Sequence, residues 1–340
     1  MRVLGLGRLI SPAVAAVILA LGLLVAAPTY AQSQSGSNPT EQAVSEQQLL
    51  DELDRIQGRV TIPDDQAATL QQPQGRDFRA FHEGALPWIG AIAVIGMLLL
   101  LALFYFVRGR IRMHAPEANV RILLFNALER LTHWVTATAF IVLAITGLNF
   151  VFGKRLLMPL IGADAFSSWS QWAKYAHDFF SWAFMLGIVI MLVVWVWENL
   201  PDRYDAHWIK VGGGFFDKSN RTHPPAARFN AGQKLIFWSV VLGGIALSVS
   251  GIFMLFPFRF TDVSGMQLAQ TIHAVVGVLM VAVILGHIYI GTLGMEGAYD
   301  AMGSGTVDLN WAKEHHSAWA EKKQRADADA PPRPVATPAE

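Results

Sequence analysis

Hydrophobic positions along the chain fall into long blocks rather than into the short periodic patterns of a soluble protein. Five blocks contain no Asp, Glu, Lys or Arg, and they cover residues 86–107, 131–153, 179–197, 235–258 and 271–293. A transmembrane helix needs about 20 mainly apolar residues. The pattern therefore predicts an all-α integral membrane protein whose five spans run up and down through the membrane.

The first 31 residues have the pattern of a secretory signal peptide. Arg2 and Arg8 form a positively charged start, an apolar run covers residues 13–27, and the small residue Ala31 marks the expected cleavage position. We expect residues 1–31 to be removed. An uncleaved signal anchor is the alternative interpretation of the same pattern.

Two segments have compositions typical of solvated chain. Residues 32–85 are rich in Gln, Ser, Asp and Glu and contain almost no aromatic residue before Phe78. They predict a polar segment that is partly disordered or loosely helical. Residues 321–340 include a run of Ala, Asp and Pro, which predicts a disordered tail.

Lys and Arg are distributed unequally between the two sides of the predicted membrane. The loops on one side carry only Lys154, Arg155, Lys174 and Arg259. The loops and the tail on the other side carry Arg108, Arg110, Arg112, Arg121, Arg130, Arg203, Lys210, Lys218, Arg221, Arg228, Lys234, Lys313, Lys322, Lys323, Arg325 and Arg333. Because basic residues near spans are retained in the cytoplasm, the sequence predicts a cytoplasmic C-terminus and a periplasmic mature N-terminus in a bacterial inner membrane.

Composition narrows the possible chemistry. The chain is 53% hydrophobic and 15% charged, with a mean hydropathy of +0.36, whereas an ordinary soluble domain is about 25% charged. It contains no cysteine, which excludes disulfides, thiolate zinc sites, cysteine-ligated iron–sulfur clusters and covalently attached c-type haem. Acidic and basic residues balance at 26 each, so bulk charge does not indicate nucleic-acid binding.

Four of the ten histidines lie within or beside the spans: His133, His177, His273 and His287. Ionisable groups in a bilayer are costly and need a partner. A single such histidine is explained by a polar contact between helices. The six histidines outside the spans are expected to contact solvent or lipid headgroups, and they are His82, His114, His207, His223, His315 and His316.

His273 and His287 share one side of the last span. They are 14 residues apart, which is roughly 21 Å along a helix and about 40° short of four full turns. Gly277, Met280 and Ile284 continue the same stripe. Gly277 leaves room for a broad, flat group, although a glycine in a membrane helix equally permits close helix packing.

Chain direction places the four histidines at two depths. His133 begins a span that runs outward and His287 ends one that runs inward, so both lie on the inner side. His177 and His273 each begin an inward span and lie on the outer side. Two imidazoles facing each other are the axial ligands of a low-spin b-type haem, so the pattern predicts two haems and transmembrane electron transfer.

Other interpretations of these histidines need partners that the spans do not supply. A metal site without haem needs carboxylates or a third histidine, and a proton relay needs Asp or Glu within the spans. A non-redox membrane anchor or small transporter, in which the histidines only pack between helices, remains an alternative.

Four sequence segments indicate a family. They are ERLTHW at 129–134, RFNAGQKLIFWS at 228–239, the His273–His287 spacing with its flanks at 272–289, and WAKEHH at 311–316. Together they resemble the cytochrome b (gamma) subunit of membrane-bound formate dehydrogenase over about residues 118–320. The resemblance implies a four-helix dihaem cytochrome b bundle, so the block 86–107 is an extra N-terminal transmembrane helix that the resemblance does not cover.

The resemblance also implies a role for this chain. Electrons would pass from an iron–sulfur (beta) subunit, fed by a molybdenum- or tungsten-containing catalytic (alpha) subunit, to quinone near the cytoplasmic face. The outer haem ligands match His177 and His273, and the inner ligands match His133 and His287. The quinone site is similar to the region of Asn230, Gly232, Gln233 and the inner ligand His287.

The residues of the implied quinone segment also have a structural interpretation, since Asn230 suits a helix cap. Arg130, one turn from His133, either pairs with a haem propionate or anchors the span by its positive charge.

The predicted activity is electron transfer and quinone reduction within a complex. Without cysteine or a nucleotide-binding glycine motif, the chain offers no catalytic centre for formate. The b-type cytochrome of a membrane nickel–iron hydrogenase is the alternative with the same task and another electron donor.

Overall fold

The computed structural model describes residues 73–329, and most of them are helical. The helices are α1 (Pro73–Ala80), α2 (Leu86–Arg108), α3 (Ala127–Leu148), α4 (Lys154–Leu156), α5 (Met158–Ile161), α6 (Ala163–Trp195), α7 (Asp205–Lys210), α8 (Ala231–Leu255), α9 (Val263–Tyr289), α10 (Ala298–Gly303), α11 (Leu309–His315) and α12 (Ser317–Ala328). Single π-helical turns follow α1, α3 and α9, at Phe81–Ala85, Asn149–Gly153 and Ile290–Gly294. Strands β1 (Arg121–Leu123) and β2 (Thr306–Asp308) pair antiparallel. The predicted signal peptide lies outside the described residues.

Five helices are long and apolar enough to cross a membrane. They are α3, α6, α8, α9 and the continuous helix formed by α1, its π turn and α2. The prediction of a helical membrane protein with five spans is therefore confirmed, and the short strand pair β1–β2 is an addition that the sequence did not predict.

Capping residues, rather than the apolar blocks, set where the helices begin. The side chains of Asn126 and Glu129 cap the start of α3 reciprocally, and Asn230 and Gln233 do the same for α8. Each of these helices starts four residues before its predicted start, because a capping box satisfies the free N–H groups of the first turn in the polar segment. The Asp262 carboxylate caps α9 with a single hydrogen bond, which it accepts from the N–H of Gly265 at 2.9 Å.

Three helices extend beyond the predicted spans, two of them into the segments 32–85 and 321–340 that the sequence predicts as polar or disordered chain. The helix α1 and its π turn occupy residues 73–85, α6 begins at Ala163 rather than at residue 179, and α12 continues to Ala328. In α12, opposite charges pair one turn apart, as Arg325 with Glu321 does, and such pairs stabilise a helix. The rest of the segments 32–85 and 321–340 lies outside the described residues.

Four of the spans form a ring in the order α3, α6, α8 and α9. Small residues allow the helices to approach closely. A Cβ atom on Gly187 of α6 would collide with Thr136 of α3, and one on Gly244 of α8 would collide with Ile188. The ring is the scaffold that holds the four membrane histidines.

The additional helix α2 packs on the outside of this ring against α9. Gly90 of α2 lies against Val278 of α9 and the ring of Phe152. At the end of α2, the Arg108 guanidinium donates hydrogen bonds to the carbonyl oxygens of Phe215 and Asp217, at 2.5 and 2.7 Å. The helix therefore also holds the loop between α7 and α8.

The ring has two distinct ends. One end contains Arg130, Arg228 and Lys234, and we call it the basic end. Here the start of α3 meets the end of α6, because Trp195 Nε1 donates to Glu129 Oε1 at 2.9 Å. The sheet and the helices α10 to α12 also pack at this end, in a core cluster with the buried ring of Trp311.

Candidate functional site

The fold brings the four membrane histidines together in two pairs. His177 of α6 faces His273 of α9, with 6.1 Å between ring centroids and 58° between ring planes. His133 of α3 faces His287 of α9 at the basic end, with 6.0 Å and 60°. All four side chains are half-buried. The helix α9 thus contributes one imidazole to each pair.

The separation within each pair fits one metal ion between two ring nitrogens. Metal–imidazole bonds measure about 2.0–2.1 Å for zinc, so two such bonds span about 4 Å. The separation near 6 Å is measured between ring centroids, so the remaining length is made up of the two distances from a ring nitrogen to the centroid of its own ring. Within residues 73–329, no group of three or more His, Cys, Asp or Glu side chains is placed to hold a metal ion. Paired imidazoles of this kind fit bis-histidine haem.

The stripe between His273 and His287 leaves space on α9. A Cβ atom on Gly277 would meet only the Leu247 side chain, at an ordinary 3.9 Å. Met280 is 4% exposed and packs in the central core cluster. The room that the sequence predicted at Gly277 is therefore present in the structure.

The two pairs differ in their hydrogen bonds. Thr146 Oγ1 lies 2.7 Å from His177 Nδ1, and Ser250 Oγ lies 3.0 Å from His273 Nδ1. At the basic end, His133 Nδ1 is buried and has no hydrogen-bond partner among the described residues. Sequence analysis missed both hydroxyl groups, although each one stands directly before a glycine.

Two nitrogens of the Arg130 guanidinium differ in their hydrogen bonding. Its Nη1 donates to the carbonyl of Gly303 at 2.7 Å. Its Nε is buried without a hydrogen-bond partner in the part of the chain that the structure describes. A buried unpaired donor is costly, and a carboxylate is the group that satisfies a guanidinium best.

Asn230 and Gln233 form the helix cap that the sequence offered as their structural interpretation. Asn230 Oδ1 accepts from the Gln233 N–H at 3.0 Å, and Gln233 Oε1 accepts from the Asn230 N–H at 2.9 Å. Both acceptor oxygens are therefore occupied, while the two side-chain NH₂ groups remain donors. Gly232 gives room to Trp208, whose ring a Cβ atom would meet at 2.7 Å.

A cavity at the basic end brings Asn230 together with residues that sequence analysis did not assign to a site. Its wall includes Trp208, His223, Glu314 and His315. Of the four residues in the predicted quinone set, Asn230 lines this cavity, whereas Gly232, Gln233 and His287 are not part of its wall. The carboxylate of Glu314 accepts hydrogen bonds from the backbone N–H groups of His114 and Ala115, at 3.0 and 2.7 Å.

One of the six histidines expected at the surface, His316, is buried, so that expectation is wrong for it, and the neighbouring His315 is half-buried. His316 is 1% exposed, and its Nδ1 donates to the carbonyl of Ala227 at 2.9 Å. Burial lowers the pKa of His316 to about 4. Burial, followed by the neighbouring His316 and His223, lowers the pKa of His315 to about 3. Both imidazoles are therefore neutral at pH 7.

Comparison with known proteins identifies the family. The family model described as prokaryotic cytochrome b561 matches residues 124–305. The chain is 31% identical over 201 residues to the cytochrome b556(fdo) subunit of formate dehydrogenase from Escherichia coli K12, covering 58% of this chain and 91% of that subunit. It is 28% identical over 205 residues to the cytochrome b556(Fdn) subunit of the nitrate-inducible formate dehydrogenase of the same strain, covering 59% and 91%.

A further relative is the cytochrome b556 subunit of formate dehydrogenase from Haemophilus influenzae, which is 24% identical over 204 residues, covering 59% of this chain and 83% of that subunit. The family resemblance read from the four sequence segments is therefore confirmed. The chain belongs to the prokaryotic cytochrome b561 family, and it is a membrane cytochrome b that functions in electron transfer.

Proposed function

We propose that this member of the prokaryotic cytochrome b561 family is the membrane subunit of a formate dehydrogenase, and that it delivers electrons from a periplasmic iron–sulfur subunit to quinone near the cytoplasmic face. The observation that carries the proposal is the pair of facing imidazoles near each end of one helix ring. The names of the relatives supply formate dehydrogenase as the complex.

His177 and His273 would hold the outer haem b, and His133 and His287 the inner haem b. When bound, the two haems would supply one-electron carriers at two depths, with no open coordination position for oxygen. The protein positions the haem ligands and excludes water. The ring of four helices fixes each imidazole, and apolar packing around Met280 keeps water from the space between the two histidine pairs. Arg130, with its buried unpaired Nε, suits an inner haem propionate.

The distribution of basic residues supports the orientation. The basic end holds most of the Lys and Arg in the described residues, whereas the opposite end holds Arg76, Arg79, Lys154, Arg155, Lys174 and Arg259. Under the positive-inside rule the basic end is cytoplasmic. The mature N-terminus is then periplasmic, the C-terminus cytoplasmic, and the membrane the bacterial inner membrane.

The quinone would bind where the start of α8 meets the basic end. Asn230 and Gln233 use their oxygens in the helix cap and keep amide donors, which are the groups that bind a quinone carbonyl oxygen. The adjoining cavity, lined by Asn230, His223 and Glu314, lies on the side from which cytoplasmic protons arrive. His287, as an inner ligand, would hold the inner haem at the same end of the ring as this region.

The chain depends on partners for its electrons. It contains no cysteine, so it has no iron–sulfur cluster of its own. The iron–sulfur (beta) subunit and a molybdenum- or tungsten-containing catalytic (alpha) subunit would oxidise formate and reduce the outer haem.

The first test is a haem count and a choice of electron donor on the complex purified from membranes. We expect two b-type haems per chain, and reduction of both by formate but not by hydrogen. Hydrogen-dependent reduction would instead assign the chain to a hydrogenase. Purified protein without visible absorbance would favour a non-redox anchor.

Gln233→Glu is expected to weaken quinone binding without disturbing the helix. Glutamate at this position keeps the capping box, as Glu129 does for α3, but it replaces the amide donor with a carboxylate that repels a quinone oxygen. We expect the KM for quinone to rise about tenfold. The lost hydrogen bond contributes about 1 kcal/mol, and the new carboxylate oxygen then faces the quinone oxygen, so that two acceptors repel each other.

Steady-state quinone reduction and the haem count check this prediction together. Gln171→Glu, which makes the same change at an exposed position on α6, serves as the matched control and should leave the KM unchanged. A Gln233→Glu enzyme with wild-type quinone kinetics would remove Gln233 from the site.

A further inference from the structure

Each imidazole of the His177–His273 pair meets a hydroxyl group from a helix that contributes no ligand to that pair. Thr146 of α3 lies 2.7 Å from His177 Nδ1, and Ser250 of α8 lies 3.0 Å from His273 Nδ1. The next residue is a glycine in both cases, Gly147 and Gly251. The same hydroxyl–glycine arrangement therefore approaches the pair from two sides of the ring.

The hydroxyl protons are already used, and this fixes the direction of the hydrogen bonds. Thr146 Oγ1 donates to the carbonyl of Val142 at 2.8 Å, and Ser250 Oγ donates to the carbonyl of Ala246 at 2.6 Å. A hydroxyl has one proton to give, so each oxygen accepts from the histidine. Both imidazoles are then protonated at Nδ1, and the Nε2 lone pair is free to bind a metal.

The glycines allow the rings to lie this close to the neighbouring helix. A Cβ atom on Gly251 would be 3.4 Å from His273 Cε1, and one on Gly147 would be 3.6 Å from His177 Cε1. A side chain longer than a methyl group would displace the imidazole from its hydroxyl partner.

The His133–His287 pair lacks this arrangement. His133 Nδ1 is buried without a hydrogen-bond partner among residues 73–329. The two pairs have the same ligand type and nearly the same ring separation, 6.1 and 6.0 Å, so the hydroxyl groups are a chemical difference in the hydrogen bonding of the ligands themselves.

We propose that Thr146 and Ser250 are positioning residues that hold both outer imidazoles as Nδ1–H donors and thereby lower the midpoint potential of the outer haem relative to the inner one. The inference rests on the proposed ligation of two haems by the four histidines. A hydrogen bond from Nδ1–H makes the opposite nitrogen a stronger electron donor, which favours the ferric over the ferrous state. Electron transfer from the outer to the inner haem then runs downhill.

The test is a potentiometric titration of Thr146→Val, Ser250→Ala and the double variant in the purified complex. The oxidation state of each haem is followed by its optical spectrum and by the electron paramagnetic resonance spectrum of its low-spin ferric form. We expect the ferric–ferrous equilibrium of the outer haem to shift towards ferrous by on the order of tenfold, which is about 59 mV for one electron. The inner haem should keep its potential, and Thr146→Ser should restore the outer one.

Matched controls lie on the same helices. Ser248 donates to the carbonyl of Gly244 at 2.6 Å and Thr136 to that of Thr132 at 2.7 Å, and neither hydroxyl contacts a histidine among the residues that the structure describes. Ser248→Ala and Thr136→Val should leave both potentials in place, and an equal shift in these controls would overturn the proposal. Two haems with unmoved potentials in the Ser250→Ala and double variants would also overturn it while leaving the proposed function intact. Fewer than two haems in the wild-type protein would instead contradict the proposed function.

Discussion

Replacing His273 with alanine is expected to halve the haem content of the purified protein, from two b haems per chain to one. His273 faces only His177, with 6.1 Å between ring centroids, so the remaining imidazole holds iron from one side alone. The His133–His287 pair is formed by another part of α9 and should keep its haem. Formate-dependent reduction of the remaining haem should cease, because the outer carrier is gone. The pyridine haemochrome assay and the reduced spectrum measure both effects.

Double variants test the pairing itself. His177→Ala combined with His273→Ala should lose no more haem than either single change, since both changes remove the same site. His177→Ala combined with His287→Ala should lose both haems, because each change removes a different site. His207→Ala alters an exposed histidine away from the spans and should keep both. A His273→Ala protein with two haems would contradict the pairing.

The positions of the spans were predictable from local sequence. The depth of each histidine in the membrane was predictable for the same reason. Charge-free blocks as long as 86–107 have one common explanation, a membrane helix. Since successive spans alternate in direction, the position of a histidine within its span determines its depth. The structure places His177 beside His273 and His133 beside His287 for this reason.

Features that depend on packing between distant segments were not predictable. The burial of His316 results from its contact with Trp311 and its hydrogen bond to Ala227, 89 positions away. The hydroxyl groups beside the His177–His273 pair belong to other helices, and their sequence signal, a Thr or Ser before glycine, is common in membrane helices. The quinone segment was ambiguous because Asn230 and Gln233 are good capping residues whether or not they bind a ligand.

A network of charges at the basic end links the start of α3 to the segments that follow α6 and precede α8. The guanidinium of Arg228 contacts Glu129 at 2.7 Å and Glu198 at 2.6 Å. Glu129 is 4% exposed and also accepts from the indole N–H of Trp195 at 2.9 Å. The same guanidinium lies 4.8 Å from the ring centroid of Phe125. Arg228 therefore neutralises a buried carboxylate at the start of α3, the helix that carries His133.

Arg228→Ala is expected to be among the most destabilising single changes, with a loss of about 3 kcal/mol in the free energy of unfolding. The physical reason is the buried Glu129 carboxylate, which loses its partner but not its charge, and breaking one side of a buried pair costs about 3–5 kcal/mol. The side chain of Arg228 is 19% exposed, so solvent offsets part of this cost. The melting temperature in detergent should fall by about 6–12 °C.

Arg325→Ala provides the comparison, because that guanidinium is 80% exposed and its ion pair with Glu321 spans 3.6 Å. Exposed pairs contribute little, so its melting temperature should stay within about 1 °C of the wild type. Combining Arg228→Ala with Glu129→Gln should recover part of the loss, since the neutral amide no longer needs a cation, keeps the capping position and still accepts from Trp195. If the double variant is less stable than Arg228→Ala alone, the uncompensated charge is not the cause, and the cost lies instead in the lost contacts of Arg228 with Phe125 and the Leu124 carbonyl.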